Sequence, residues 1–178
     1  MTDGATRTDG RGVAVYVSAG SNVSPVESLA KAIGAAQRIF PDLVVSPAYA
    51  NSAVGFRGAD FINLALGFTT ELPLAAVLKE LHAIEMLCGR GRTEEKWAPR
   101  RMDLDVLLFG DLVGEFPGAR LPRPDLVRRA YMLGPLAAIA PSVVHPTLRR
   151  TIGELWAEFD VAAHPLRPVS LPFAGTRA

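Results

Sequence analysis

The sequence holds a single cysteine, Cys88, in 178 residues. A disulfide scaffold needs pairs of cysteines and a Cys-based zinc site needs several, so both classes are excluded. No apolar run reaches the roughly 18–20 residues that a membrane span requires. The opening segment, Met1 to Gly12, is rich in Thr, Asp, Gly and Arg and lacks the apolar centre of a signal peptide. We therefore expect a soluble, cytoplasmic protein.

Net charge is also nearly absent, at +1. Overall charge therefore does not favour binding to nucleic acid or to a membrane surface, and we expect neither partner. The composition, 49% hydrophobic and 21% charged, is that of a globular chain and excludes a disordered or collagen-like one. A chain of 178 residues is the size of one domain, and we expect a monomer.

Lysine is scarce, and arginine takes its place. Only three of the 19 basic residues are lysines, which leaves sixteen arginines, and eight of these lie between Arg90 and Arg129. The planar guanidinium matches carboxylate and phosphate oxygens two at a time, which an ammonium group cannot do. The cluster indicates either a bound polyanion or a solvated basic face, and counts alone do not separate the two.

The order of apolar patterns predicts an α+β protein. Alternating or continuous apolar runs predict strands, and the apolar spacing from Leu74 to Leu87 predicts one face of a helix. The resulting order, βαββαβ, favours a ferredoxin-like sheet with both helices packed on one face and extra C-terminal helices. The predicted strands cover 13–19, 43–49, 61–68 and 102–109, and the predicted helices cover 24–40, 74–87, 130–140 and a last helix from 151.

Local signals refine these boundaries. Ser24 is predicted to cap the first helix, with Pro25 at its first position and Glu27 completing a capping box. Thr151 and Glu154 form the same pattern before the last helix. We take residues 1–12 as a flexible N-terminus, 13–160 as one domain, and 161–178, which holds prolines and no periodicity, as a C-terminal tail.

The sharpest chemical feature is the pair Asp103 and Asp105 within an apolar strand. Because side chains alternate along a strand, both carboxylates point the same way with roots roughly 6.5–7 Å apart. Two carboxylates on one buried-looking face repel each other and lose hydration, so a cation should offset them. That cation is either a neighbouring arginine or Mg²⁺, which is commonly held by one or two carboxylates plus substrate phosphates.

The segment before these aspartates, residues 89–101, carries four arginines and Trp97. It resembles a dinucleotide fingerprint only superficially, because it follows a helix and leads into a strand, and no Walker A sequence occurs in the chain. Arginines beside a magnesium site are typical of phosphoryl transfer, where catalysis is mainly positioning and charge neutralisation. Trp97 is either a core anchor or a contact to a flat ligand.

Three further polar residues are weaker candidates. Asn63 lies among apolar residues of the third strand, where its amide either bonds the backbone or binds the edge of a heterocycle. His82 and Glu85 lie one helical turn apart beside the basic segment, and a solvated Glu is the default there. His145 and His164 lie in proline-flanked segments and look incidental.

These motifs together resemble the 6-hydroxymethyl-7,8-dihydropterin pyrophosphokinase family of folate biosynthesis. The resemblance covers roughly residues 13–160, and its most specific part is the Pro-Arg-x-x-Asp-x-Asp stretch with an aromatic residue ahead of it. The matching segments are Gly20-Ser21-Asn22, Phe61-Ile62-Asn63, Glu85-x-x-x-Gly89-Arg90-x-Arg92, Trp97-Ala98-Pro99-Arg100-x-x-Asp103-Leu104-Asp105, Leu121-Pro122 and Arg129-Ala130-Tyr131.

The resemblance implies transfer of the pyrophosphoryl group of ATP to the pterin alcohol, with release of AMP. It implies two Mg²⁺ ions held by Asp103 and Asp105, and ATP as co-substrate. The catalytic residues it implies are Arg90, Arg100 and Asp105. The ATP contacts it implies are Glu85, Arg92, Trp97, Arg100, Arg123 and Arg129. The pterin contacts it implies are Asn51, Val54, Phe61, Asn63, Trp97 and Tyr131, with the ring between Phe61 and Tyr131.

Four positions depart from the family pattern: Asn51-Ser52 stands for Thr-Pro, His82 for a glutamine, Ala98 for a glycine and Arg123 for a histidine. A paralogue with a drifted acceptor is therefore one alternative. A non-catalytic pterin- or nucleotide-binding module of ferredoxin-like fold is another, which loss of either aspartate would have favoured. An RNA-binding module is disfavoured because exposed aromatics in a Gly-Phe-Gly-Phe-like context are absent.

Overall fold

The protein is represented by a computed structural model, which describes residues 12–52, 58–89 and 102–175. In these ranges no helix is both long enough and apolar enough to cross a bilayer. The elements are β1 (Val13–Ser21), α1 (Pro25–Ile39), β2 (Val44–Val45), β3 (Ala48–Asn51), β4 (Phe61–Thr70), α2 (Leu74–Leu87), β5 (Asp103–Phe109), β6 (Gly114–Phe116), β7 (Ala119–Leu121), α3 (Ala130–Ile139), α4 (Ile152–Ala157) and β8 (Arg167–Val169).

The main sheet is antiparallel throughout its described pairings. Its strands lie in the order β5-β1-β4-β3-β8, and β2 pairs with β4 beside β3. β6 and β7 form a separate hairpin. The prediction of an α+β protein is confirmed, with an antiparallel sheet and several helices.

Both faces of the sheet are covered by apolar side chains. Val15, Val17 and Leu64 point to the face that α1 and α2 cover, where the larger core lies. Ala65, on the opposite face, belongs to a second core that includes Leu133 of α3. The sheet is therefore the middle of three layers, and side-chain alternation decides which layer each strand residue joins.

An irregularity in β5 strengthens the second core. The pairing of β1 with β5 shifts register between Tyr16 and Val17, which leaves one extra residue on β5. Leu107 and Leu108 consequently both contact the second core. On the other side of the shift, Leu104 and Val106 lie in the larger core. Asp103 and Asp105 therefore point to the α3 side of the sheet.

The strand predicted over residues 43–49 forms as two pieces, β2 and β3. The break falls at Ser46 and Pro47. The Ser46 hydroxyl accepts the Ala65 backbone N–H at 2.8 Å, so a side chain takes the place of one backbone acceptor in the ladder. Pro47, which has no N–H to donate, fits this break.

The two predicted capping boxes have different outcomes. Thr151 and Glu154 form theirs, with Glu154 N–H donating to Thr151 Oγ1 at 3.2 Å and Thr151 N–H donating to Glu154 Oε2 at 2.8 Å. The prediction for Ser24 is wrong: its φ is 43° and its side chain makes no cap hydrogen bond. The hydroxyls of Ser21 and Ser28 both donate to the Val23 carbonyl, and this local bonding goes with a different turn.

The C-terminal segment carries a strand that periodicity did not indicate. β8 pairs with β3 at the sheet edge. Beyond it, Leu171 is buried, and Gly175 N–H donates to the Ser46 carbonyl at 3.0 Å. Three residues with one proline are too short to produce an alternation signal, so this pairing depends on tertiary contacts.

Candidate functional site

The two aspartates lie on the edge strand β5, on the face covered by α3. Asp105 is opposite Ser18 of β1, and Asp103 is opposite Gly20. Both are partly exposed, and the Asp105 side chain is 24% exposed. With neighbouring carboxylates of one strand roughly 6.5–7 Å apart at their roots, the pair forms an accessible concentration of negative charge.

Arg123 offsets part of this charge. Its Nη1 lies 3.0 Å from Asp105 Oδ1, and its backbone N–H donates to the Leu107 carbonyl of the same strand at 2.9 Å. The Nε atom is buried and has no hydrogen-bond partner. The Arg123 side chain as a whole is 32% exposed, so it remains accessible to an incoming acceptor.

The donor set suits magnesium better than a structural zinc site. In residues 12–52, 58–89 and 102–175, no group of three or more His, Cys, Asp or Glu side chains could hold a metal ion. Two carboxylates on one face fit Mg²⁺, which keeps waters and takes further ligands from substrate phosphates. Asp103 and Asp105 therefore fit a site that is completed by a phosphorylated substrate.

Asn63 lies in line with Asp103 across the sheet. Gly20 separates them, pairing with Asp103 on one side and Asn63 on the other. A Cβ at Gly20 would overlap the Asn63 side-chain oxygen, so only glycine leaves room for this amide. Asn63 Nδ2 donates to Asn51 Oδ1, a side-chain contact that neither of the two sequence interpretations anticipated.

Glu85 is not the solvated residue that a helix-face position suggests. Its side chain is 6% exposed, and its Oε1 accepts the Leu104 backbone N–H at 2.8 Å. His82 Nδ1 lies 3.6 Å from Glu85 Oε2. Leu104 lies between the two aspartates. The hydrogen bond from its N–H to Glu85 therefore attaches the aspartate-bearing strand β5 to helix α2.

Arg129 and Tyr131 lie at the start of α3, and Tyr131 is within electrostatic reach of Asp105. Burial raises the pKa of the Tyr131 phenol above its ordinary value, and the nearby charges of Asp125 and Asp105 act in the same direction. Arg129 and Arg123 oppose that shift. Tyr131 therefore stays a neutral hydrogen-bonding phenol near neutral pH, within electrostatic reach of the carboxylate at Asp105.

A cleft of about 190 Å³ opens beside Tyr131. It is smaller than the roughly 300–1,000 Å³ of drug-sized pockets, which suits a single flat ring system better than a whole nucleotide. Its walls come from the end of β3, the start of α3 and the segment before β8. The lining residues are Asn51, Ser52, Arg129, Ala130, Tyr131, Ala163, His164, Pro165 and Leu166.

Residues 16–141 match the family model described as 7,8-dihydro-6-hydroxymethylpterin-pyrophosphokinase (HPPK). The chain belongs to the HPPK family. It is 32% identical over 146 residues to the Aquifex aeolicus 2-amino-4-hydroxy-6-hydroxymethyldihydropteridine pyrophosphokinase, covering 81% of this chain and 91% of that protein. It is 37% identical over 137 residues to the Pseudomonas aeruginosa protein of the same name, covering 74% and 83% respectively.

Solved structures agree on the fold. A crystal structure of an HPPK-DHPS in complex with substrates has a TM-score of 0.64 at 12% identity, covering 85% of this chain and 44% of that one. The Plasmodium falciparum HPPK-DHPS with pterin and p-hydroxybenzoate has a TM-score of 0.63 at 14% identity, covering 83% and 43%. This chain spans less than half the length of those solved chains.

The structure gathers part of the predicted HPPK site. Asn51, Asn63 and Phe61 share one end of β3 and β4, since Asn51 pairs with Phe61 and Asn63 lies two residues along. A second group lies near the start of α3 and consists of Asp105 of β5, Arg123, Arg129 and Tyr131. Five predicted site residues lie outside the described ranges: Val54, Arg90, Arg92, Trp97 and Arg100.

Sequence reasoning did not select His164 or the two charged residues Asp60 and Arg167. His164 lines the cleft, although its proline-flanked context looked incidental. Asp60 and Arg167 form an ion pair across 107 residues of chain. Neither residue belongs to a motif, and no periodicity of either segment could have signalled a pair so distant in sequence.

The close approach at Gly20 gives a testable prediction. Gly20→Ala should destabilise the fold by about 1–3 kcal/mol, because the added methyl group overlaps the Asn63 amide. The combination of Gly20→Ala with Asn63→Ala should recover most of that loss by removing the overlapping atoms. Urea unfolding measures both effects.

Gly34→Ala is the matched control. A Cβ at Gly34, within α1, meets nothing within 4 Å, so alanine there should be neutral or stabilise by up to about 1 kcal/mol. Equal stability of the Gly20→Ala and Gly34→Ala variants would contradict the assigned packing of Asn63.

Proposed function

We propose that this chain transfers the pyrophosphoryl group of ATP to the hydroxymethyl oxygen of 6-hydroxymethyl-7,8-dihydropterin, in folate biosynthesis. The alcohol oxygen forms a bond to the β-phosphorus, the bond from that phosphorus to the oxygen of the α-phosphate breaks, and AMP leaves as the hydroxyl proton is released. The observation that carries the proposal is the paired carboxylate face of Asp103 and Asp105 beside Arg123 and Tyr131. It lies within the residues that the HPPK model matches.

We also infer that the core has the ferredoxin-like arrangement. The strand order β5-β1-β4-β3 of antiparallel strands supports this, as does the chain order in which α1 follows β1 and α2 follows β4. β8 then extends the sheet beyond that core. The arrangement is common to many unrelated functions, so the function rests on the site and not on the fold.

In the proposed reaction, Asp103 and Asp105 would hold Mg²⁺, with two ions expected from the family. Bound there, the metal supplies charge neutralisation for the phosphates. Glu85 supports the strand between the carboxylates through the Leu104 N–H. This hydrogen bond would hold both aspartates in position on the α3 face when the metal and the phosphates bind.

Arg123 and Arg129 are the described arginines that we propose as phosphate contacts. Arg123 is held near Asp105 and its side chain is 32% exposed, which suits contact with an incoming phosphate oxygen. Arg129 lines the cleft next to Tyr131, where it would meet the transferred group. By family position, Arg90, Arg92, Arg100 and Trp97 would complete the nucleotide side, and Arg90 and Arg100 would assist transfer.

The acceptor ring would lie between Phe61 and Tyr131, with Asn63 contacting its amide edge. The small cleft beside Tyr131 supports the Tyr131 side of this placement, because its walls also include Asn51, although Phe61 and Asn63 do not line it. The proposed metal site at Asp103 and Asp105 and the proposed acceptor site beside Tyr131 then adjoin near the start of α3. We expect the cytoplasm as the location and a monomer as the working form.

One observation favours a related second candidate, transfer to a drifted acceptor. Asn51 stands where the family pattern has threonine, and its side-chain oxygen accepts the Asn63 Nδ2 hydrogen. The Asn63 amide, which is predicted to contact the pterin, is thus already hydrogen-bonded to Asn51, a residue that differs from the family pattern. Comparing 6-hydroxymethyl-7,8-dihydropterin with analogues that differ at the amide edge discriminates the two candidates.

Removing one carboxylate tests the proposed reaction. Asp105→Ala should lower the rate of AMP formation from ATP and the pterin on the order of 10³-fold, because a ligand for the neutralising metal is lost. Asp111→Ala, an exposed aspartate in the turn after β5, is the control and should retain full activity. Near-normal turnover of the Asp105 variant would contradict the assignment.

Arg123→Gln separates the two roles of the guanidinium. Without nucleotide, Mn²⁺ should bind about three- to tenfold more tightly, because the competing positive charge beside Asp105 is gone. ATP should bind about tenfold more weakly, because a charge-assisted phosphate contact is lost. Calorimetric titration measures both affinities.

Arg120→Gln is the control for Arg123. This exposed arginine pairs with Glu115 in the β6–β7 hairpin, with Nε and Oε1 3.6 Å apart. It should leave both affinities unchanged. Unaltered Mn²⁺ binding in the Arg123 variant would show that its guanidinium does not compete for Asp105.

A further inference from the structure

The outer wall of the cleft comes from the C-terminal segment. Ala163, His164, Pro165 and Leu166 face Asn51 and Tyr131 across the opening. These four wall residues lie beyond residues 16–141, which the family model matches. The cleft thus combines family-matched positions with a wall from outside that match.

Pairing of β8 with β3 attaches this wall to the main sheet. The first residue of β8, Arg167, directly follows the wall and pairs with Ala50, while Val169 pairs with Ala48. The next residue after Ala50 is Asn51, which lines the cleft. The pairing of β8 with β3 therefore fixes the position of the wall relative to Asn51 at the end of β3.

The ion pair between Arg167 and Asp60 makes a second attachment. Asp60 immediately precedes Phe61, the first residue of β4, which pairs with Asn51. The side chains of Arg167 and Asp60 are 68% and 44% exposed, so the pair adds little to global stability. Its consequence is local: it connects the wall to the strand end that carries Phe61.

His164 has a defined place in the wall. Its ring lies 5.5 Å from the ring of Phe159, which in turn stacks on Trp156 at 5.6 Å. Its backbone N–H donates to the Val161 carbonyl at 3.2 Å. The ring contact with Phe159 and the hydrogen bond to Val161 therefore hold the imidazole beside the cleft.

We propose that residues 163–166 form a specificity-determining wall of the acceptor cleft, with Arg167 as a positioning residue that holds the wall in place through its ion pair with Asp60. This inference rests on the proposed function for the identity of the acceptor. It predicts that loosening the wall weakens acceptor binding without a matching loss of nucleotide binding, because the wall faces Asn51 and Tyr131 across the cleft.

The test reverses the charges of the attachment. Arg167→Asp and Asp60→Arg should each weaken binding of 6-hydroxymethyl-7,8-dihydropterin about fivefold, since like charges then meet. The double variant restores opposite charges and should recover most of the affinity. Fluorescence titration gives the pterin Kd, and steady-state rates give KM for both substrates and kcat. KM for ATP and kcat should not change.

A matched ion pair controls for loss of surface charge. Arg150 and Glu158 form a bidentate pair with both contacts at 2.7 Å, away from the cleft, so Arg150→Asp should leave the pterin Kd unchanged. His164→Ala should raise the pterin Kd with the melting temperature unaltered, which tests the wall without touching its attachment.

The outcomes separate the wall from the reaction. Three results would each contradict the proposed role of the wall. They are an unchanged pterin Kd in Arg167→Asp, a parallel rise in KM for ATP in that variant, and no recovery of pterin affinity in the double variant. Wild-type protein that binds the pterin without forming product would defeat the proposed function alone, because the Kd comparison still tests the wall. Wild-type protein that binds no pterin would overturn both.

Discussion

The antiparallel register of β1 between β4 and β5 positions the centre of the site. Because side chains alternate along each strand, one register sends Val15 and Val17 into the core under α1 and α2 and leaves the residues opposite Gly20 on the α3 face. Those residues are Asp103 and Asn63. A slip by one residue would exchange the side chains of the two faces, so the hydrophobic pattern that stabilises the sheet also fixes the positions of Asp103 and Asn63.

Charge balance is the second constraint on this site. Two carboxylates on one strand face need a cation, and the chain supplies Arg123 at 3.0 Å from Asp105. That guanidinium belongs to a side chain that is 32% exposed, so it can donate to phosphate oxygens in place of a carboxylate. The same cluster of charges surrounds Tyr131, which links the carboxylate side to the acceptor cleft.

The sequence predicted the features that depend on local patterns. Strand alternation placed Asp103 and Asp105 on one face, and the apolar spacing of α2 matches the observed Leu74–Leu87. The capping box at Thr151 formed, but the one at Ser24, which has the same three-residue spacing, did not, because Ser24 adopts a left-handed backbone conformation in a turn where the Ser21 and Ser28 hydroxyls donate to the Val23 carbonyl. Where several local hydrogen bonds compete, the pattern alone does not decide.

Long-range contacts were beyond prediction from the sequence. The pair between Asp60 and Arg167 joins segments with no shared motif, and β8 is too short for periodicity to reveal. The burial of Glu85 depends on the N–H of Leu104, an edge-strand group that faces α2 only once the sheet has formed. These contacts follow from the packed arrangement of elements, which local propensity does not encode.

The identity of the nucleotide product tests the central claim most directly. ATP, Mg²⁺ and 6-hydroxymethyl-7,8-dihydropterin would be incubated with the protein, and the phosphorus spectrum of the mixture followed over time. The account predicts AMP and a pyrophosphorylated pterin in equal amounts, with neither formed when the pterin is omitted. Formation of ADP and a monophosphorylated pterin, or of AMP at the same rate without the pterin, would contradict it.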